Sequence, residues 1–278
     1  MQNLRKHALA LKDQGKPKEA LRLFREAYVG MIGTSKADQI GRIIIDMAST
    51  LYMLDNKEAQ VRFGDAYDIA LRTNDSILMG MALHGLANYA SLRDEHQKAY
   101  DMYQQAFELL KQDKEKRSYI QGNMVLQLIE MKELGKAEQM ILACIEEADY
   151  NQLGKLLVTA SIVYDEMGDL KKAWSMLLRA LTATENILDL ANVLENMAAI
   201  LDKTGHSAQA LILDSKAYKI YSEAYDPDHF RVVNLLSMMD EHLYNARGWK
   251  FWRTYESFLP NHAISMEFIT DLVSKVQL

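Results

Sequence analysis

Residues 14–27 read QGKPKEALRLFREA, and this stretch decides the fold. Ala20, Phe24 and Ala27 stand four and three apart, which places them on one face of a helix. Gly15 precedes them by five residues, and glycine tolerates the positive φ that ends one helix before another begins. The triplet then recurs. It returns as Ala59, Phe63 and Ala66, as Ala99, Tyr103 and Ala106, and as Ala137, Ile141 and Cys144. Two further copies are Ala173, Leu177 and Ala180, then Ala210, Asp214 and Ala217. The leading alanines are separated by 39, 40, 38, 36 and 37 residues, a period too regular for chance.

Each copy has the same upstream context. Turns read as QGKPKEA, MGDLKKA and TGHSAQA, with glycine-free versions in LDNKEA and RDEHQKA. Before the turns come helical stretches with a small residue facing the triplet: Ala8, Ala48, Ala87, Ser161 and Ala198. Small residues let two backbones approach, and the large residue fills the groove beside them. The unit is helix, tight turn, helix.

Gly15 to Ala27 matches the tetratricopeptide repeat consensus position for position, and the chain resembles that family over about residues 1–225. The period of 36–40 exceeds the family's 34 and is similar to that of intracellular peptide-pheromone receptors of Gram-positive bacteria and of kinesin light chains. The resemblance implies an all-α, right-handed superhelical solenoid of about six hairpins over residues 1–226, an elongated, curved particle. Residues 227–278 would supply C-terminal capping helices. Asp214 departs from the pattern, since it holds an aromatic site; the sixth hairpin either packs differently or turns that face to solvent.

Beyond Asp226 and Pro227, residues 228–246 read as one helix, broken at Gly248 before WKFWRTYESFL. Trp249, Trp252, Tyr255 and Leu259 lie at helical spacing and read as a cap over the last repeat or as an aromatic ligand surface.

Composition fits this reading. Hydrophobic residues are 49% and charged residues 25% of 278, within the globular range, and three prolines leave the helices unbroken. A net charge of −6 argues against general nucleic-acid binding. Residues 1–30 run against the trend, with seven Lys and Arg against three acids. They read as a solvated first hairpin or as a patch for an acidic partner. One cysteine excludes an intramolecular disulfide and suits a reducing, cytoplasmic setting. The N-terminal residues are too charged for a signal peptide, and no run approaches the ~18 apolar residues of a membrane span.

Chemistry is hard to find. The sequence has no dinucleotide or phosphate-loop fingerprint; Gly30 to Lys36 has the wrong spacing and falls between hairpins. Acid–histidine neighbours at 94–96 and 240–242 are explained by a turn and a solvated helix face, and Cys144 by a core position. No catalytic set, metal cluster or cofactor motif is expected. The sixteen methionines read as core filling or as an adaptable apolar groove.

The family resemblance places a ligand groove on the first helix of each hairpin. Its positions fall at Arg5 and Leu9, Ile45 and Ser49, His84 and Asn88, Asn123 and Leu126, Lys155 and Thr159, and Glu195 and Asn196. The family's co-chaperone branch holds a carboxylate with Lys and Asn, then Asn, then Lys and Arg. Asn88, Asn123 and Lys155 match that clamp, whereas His84 and Thr159 depart from it. The expectation is a non-catalytic adaptor for a protein or extended peptide segment, bound through His84, Asn88, Asn123, Lys155, Thr159 and Asn196. Neither nucleic acid nor membrane is an expected partner, and self-association stays open. The alternative is an intracellular peptide sensor acting on a transcription factor or signalling protein. Such receptors usually carry an N-terminal effector domain, which is not expected within this stretch, where the pattern begins near residue 4; a domain preceding it stays open.

Overall fold

The computed structural model describes residues 2–34, 36–246 and 265–276. Trp249, Trp252, Tyr255 and Leu259 lie outside them. Of the described residues 82% are helical. Fourteen helices are described. The first three hairpins are α1 (Gln2–Asp13) with α2 (Pro17–Val29), α3 (Ala37–Met53) with α4 (Glu58–Thr73), and α5 (Ser76–Ser91) with α6 (His96–Leu109). The next three are α7 (Lys114–Glu130) with α8 (Leu134–Glu147), α9 (Tyr150–Glu166) with α10 (Leu170–Ala183), and α11 (Ile187–Lys203) with α12 (Ser207–Ala224). Then come α13 (Phe230–Asn245) and α14 (Met266–Ser274).

All eighteen triplet residues are buried, none more than 4% exposed. Ala8, Ala48, Ala87, Ser161 and Ala198 are buried opposite them. Every hairpin turn contains one residue in the left-handed region: Gly15, Asp55, Asp94, Lys132, Gly168 and Gly205. Side-chain caps start several first helices, with Asp75 accepting from the Leu78 amide at 2.9 Å, Asp113 from Lys116 at 3.1 Å and Asn186 from Leu188 at 2.8 Å. Met47, Met124 and Met197 are buried in the core, with Met53, Met79, Met81, Met131 and Met239 packed against it, so these methionines fill gaps.

Three expectations need correction. Asp214 does not face solvent: it is fully buried, and His242 of α13 meets it at 2.6 Å. His242 therefore does not lie on a solvated face; it is 4% exposed because α13 packs this side onto α12. A buried carboxylate needs a charged, hydrogen-bonding partner, which explains why the aromatic slot could change. The basic first hairpin keeps Lys6, Lys16, Lys18, Arg22 and Arg25 exposed, and some of its cations are ion-paired. Arg5 pairs with Asp46, Lys18 with Asp226, and Arg25 with Glu58 at 3.4 Å.

The third correction concerns shape, because the curve closes on itself. The Asn186 amide donates to the Asp13 carbonyl at 2.6 Å, so the turn of the first hairpin rests on the start of the sixth. The His229 ring bonds the Met53 carbonyl at 2.7 Å, so the turn of the second rests on the start of α13. Both contacts join units five apart. The small rotation between hairpins thus completes a superhelical turn in five, and the elongated form gives way to a stacked coil. A β-carbon at Gly15 would sit 3.0 Å from Ile187 and 3.5 Å from Leu188, and φ is +74° there, so the seam and the turn both call for glycine. Val232, Leu235, Ile269 and Val273 of α13 and α14 are buried in one cluster with the fifth and sixth hairpins.

Candidate functional site

First helices line the inside of the coil, where each reaches the next through polar side chains. Lys12 of α1 bonds Ser49 of α3 at 3.1 Å. The Tyr52 ring of α3 meets Tyr89 of α5 edge-on at 5.6 Å. Gln127 of α7 donates to Ser91 of α5 at 2.9 Å. Lys155 of α9 meets Asp189 of α11 at 3.1 Å. The ladder follows from sequence spacing, since groove positions recur one turn apart on each first helix.

His84, Asn88 and Asn123 come together. The Asn123 amide lies 2.8 Å from His84 Nε2 and 3.3 Å from Asn88 Oδ1. Tyr103, the large residue of the third triplet, donates to the same Asn88 oxygen at 2.6 Å. Burial holds the His84 pKa down at about 4, so the ring is neutral at pH 7 and its Nε2 accepts from Asn123. Nδ1 then carries the proton. This bonding spends both Asn123 N–H groups and leaves its oxygen free, together with the Asn88 amide and His84 Nδ1–H. One acceptor and two donor groups on adjacent helices are thus left without a side-chain partner among the described residues.

The other expected site residues lie apart from this cluster. Lys155 bonds the Tyr119 hydroxyl, and its ammonium lies 4.4 Å from that ring's centre. Tyr119 stands one helical turn before Asn123, so Lys155 borders the cluster without touching it. Thr159 bonds the Lys155 carbonyl at 3.1 Å, and Asn196 bonds the Asn192 carbonyl at 2.7 Å, each on its own helix. Their polar groups are spent locally. Ile45 is 3% exposed and belongs to the core, so it is not a groove residue.

Sequence reasoning missed three groups. Tyr119 is 43% exposed beside Lys155. Arg231 of α13 reaches the Tyr221 hydroxyl at 3.1 Å, and Tyr221 in turn donates to Glu195 at 3.1 Å. Lys12 reaches the inside from the last turn of α1. Tyr119 could have been found from its spacing, one turn before Asn123. Lys12 lies in the last turn of α1, off the groove positions, and Arg231 lies on α13, outside the repeat, so the period marks neither. The Cys144 thiol is buried, and burial pushes its pKa up to about 11, which leaves it unreactive. Among the described residues no cluster of metal-ligating side chains occurs, and no helix is long and apolar enough to cross a membrane.

No family model matches the sequence, and no curated protein matches it. Solved structures do. The chain is similar to the APC/C hetero-tetramer Cut9–Hcn1, with a TM-score of 0.64 over 97% of its length at 14% identity. It spans 48% of that chain, about half its length. TTC0263, a thermophilic TPR protein of Thermus thermophilus, gives 0.54 at 19% identity, covering 72% of this chain and 98% of that one. BtubC from P. vanneervenii gives 0.50 at 19% identity, covering 81% and 94%. At such identities the likeness concerns fold. In fold the chain is a solenoid of tetratricopeptide-like helical hairpins.

Proposed function

We propose that the chain is a non-catalytic adaptor that holds an extended protein segment against the inner face of its first helices. The observation that carries this reading is the hydrogen-bonding pattern left over by the His84, Asn88 and Asn123 cluster. A free acceptor on Asn123 and free donors on Asn88 match the N–H and C=O of one extended peptide unit. A neutral His84 adds a further donor without adding charge. The binding set is then His84, Asn88 and Asn123, with Lys155 at its border; Thr159 and Asn196 serve as lining. Residues 227–278 act as the cap of the array, in keeping with the burial of Ile269 and Val273.

The sensor reading has one observation in its favour. Closure rests on a few long-range bonds, so a ligand inside the coil could bias a closed state against an open one. The test for docking is comparative capture. Tagged parent and an Asn88→Ala/Asn123→Ala double variant are used on the same lysate with quantitative mass spectrometry. Partners held by the groove are retained by the parent and lost from the variant. Identical retention by both would remove the groove from the account.

A further inference from the structure

At the seam one rim of the coil sits on the other: the starts of α11 and α13 rest on the turns of the first and second hairpins. Each seat has an apolar part and a polar part. At the first turn Ile187 fills the space beside Gly15, 3.0 Å from where a β-carbon would stand, and the Asp13 carbonyl accepts from Asn186. At the second turn Leu54 packs against the cluster of the fifth and sixth hairpins, and the Met53 carbonyl accepts from His229. Lys18 on the turn side pairs with Asp226 on the loop side. The turns of the third, fourth and fifth hairpins are built alike but stay open among the described residues. Gly168 has a left-handed φ of +78°, like Gly15, yet a β-carbon there would meet no atom within 4 Å. Met167 holds the place of Leu54 but is 43% exposed, and Leu92 in the third turn is 65% exposed. The carbonyls of Leu92, Glu130 and Glu166 stand in register with those of Asp13 and Met53, and among the described residues no donor reaches them.

We propose that these open seats take a second copy of the same chain, stacked coaxially so that the lower rim of one copy rests on the upper rim of the other. The chain supplies the matching half. Tyr150 begins α9 as Ile187 begins α11 and Phe230 begins α13, and it is exposed. Ile77, the second residue of α5, is exposed as well. Charge runs in the same sense as at the seam. Lys171 is exposed on the fifth turn, as Lys18 is beside the first. Glu146, Glu147 and Asp149 are exposed just before α9, as Asp226 is before α13. A turn-side cation thus meets a loop-side acid in both cases. A copy that continues the five-unit rotation brings its first helices over the third, fourth and fifth turns. Any other occupant would need helix starts of this same pattern, an apolar first residue after an acidic loop, and the chain itself has them. The contact is heterologous, rim against opposite rim, so each pair keeps one open rim of each kind and longer stacks follow at higher concentration. A few apolar side chains and rim charges make a small interface, so association is weak, with a Kd on the order of 100 µM. It is independent of what docks inside the coil.

The test is sedimentation velocity of the purified full chain over a concentration series reaching about ten times that Kd. The weight-average mass should rise at least about twofold across the series and fall back on dilution and in high salt. Leu92→Lys/Met167→Lys spoils the upper rim and Ile77→Lys/Tyr150→Lys the lower one, at exposed positions where the fold has little to lose. Each double variant alone should stay monomeric. Mixed in equal amounts, the two should form a heterodimer and grow no further, because one intact rim of each kind remains. Circular dichroism checks that both keep their helix, and serine at the same positions serves where lysine does not. A parent that stays monomeric throughout overturns the proposal. So does association that either double variant leaves unchanged, or a mixture of the two that remains monomeric, since opposite rims would then not be what pairs.

Discussion

Asn186 serves two helices at once: its side-chain oxygen caps α11 through the Leu188 amide at 2.8 Å, and its amide donates to the Asp13 carbonyl at 2.6 Å. His229 repeats the device one hairpin later, as N-cap of α13. Its Nδ1 accepts from the Arg231 amide at 3.2 Å, while Nε2–H reaches the Met53 carbonyl at 2.7 Å. Asp13 and Met53 each stand two residues before the left-handed residue of their turn, Gly15 and Asp55. A single cap geometry thus closes the coil twice in the same register.

Closure makes a prediction about size. A compact chain of this length has a radius of gyration of about 19 Å. Small-angle scattering of the parent should fall close to it. Asn186→Asp keeps the cap oxygen but sets a carboxylate against the Asp13 carbonyl, and Lys18→Glu sets one against Asp226. The double variant should scatter as a larger, more extended particle with its helical circular dichroism intact. An unchanged radius would mean that the seam does not hold the curve.

His84 and His242 should make stability respond to pH in opposite directions. His84 has its pKa lowered to about 4 by burial, so the folded state binds fewer protons than the unfolded state between pH 4 and 6.5. Its contribution is complete above 6.5 and is lost as pH falls through that window. For His242, burial alone would lower the pKa, but the Asp214 hydrogen bond and charge outweigh it and raise it. Asp214, raised by burial, pulls the same way. The His242 contribution is present below pH 6.5 and declines as pH climbs through its raised value, while that of Asp214 declines earlier, as pH climbs from the ordinary carboxylate value of 3.8. Denaturant midpoints across pH should show both limbs. His84→Gln should flatten the acid limb, and Asp214→Phe/His242→Leu the alkaline one. Asp214→Phe alone should also be milder than His242→Leu alone, since removing the cation leaves a buried carboxylate, at a cost of about 3–5 kcal/mol.

Two glycines on first helices should respond to alanine with opposite signs. A β-carbon at Gly85 would lie 2.3 Å from the Phe63 ring, which is wedged in the second triplet. Gly85→Ala should cost about 1–3 kcal/mol through overpacking. At Gly122 the nearest group is Thr159 Oγ1 at 3.8 Å, an ordinary contact. Gly122→Ala should therefore stabilise by about 0.5–1 kcal/mol through helix propensity. Chemical denaturation of the two variants beside the parent decides this, and a loss of stability at Gly122 would show that the helix pairing there is wrong.

The hairpins were legible because packing leaves a local, repeating trace. Ala99, Tyr103 and Ala106 must meet their partner helix at fixed spacing, and that spacing survives in the sequence. The turns were half legible. Gly15, Gly168 and Gly205 announce a positive φ, whereas Asp55, Asp94 and Lys132 adopt it without being glycine. Asp214 showed itself only as an anomaly, a charge in an aromatic slot, and its partner His242 lies 28 residues away on a helix outside the repeat. The site was legible in its amides and not in its cations. Asn88 and Asn123 sit at recurring groove positions, while the closure of the coil rests on a contact between residues 173 apart, Asn186 and Asp13, that no period records.

The account's central claim is that partners dock inside the coil, and site-specific photocrosslinking tests it most directly. A benzophenone amino acid replaces Tyr119, on the inner face beside Lys155, or Val61 on the second helix α4, which is 62% exposed. Each labelled chain is irradiated in native lysate, and adducts are identified by mass spectrometry. The account predicts partner adducts from position 119 that disappear when Asn88→Ala and Asn123→Ala are added, with none of the same partners from position 61. Adducts that form from position 61 and not from 119 would contradict it.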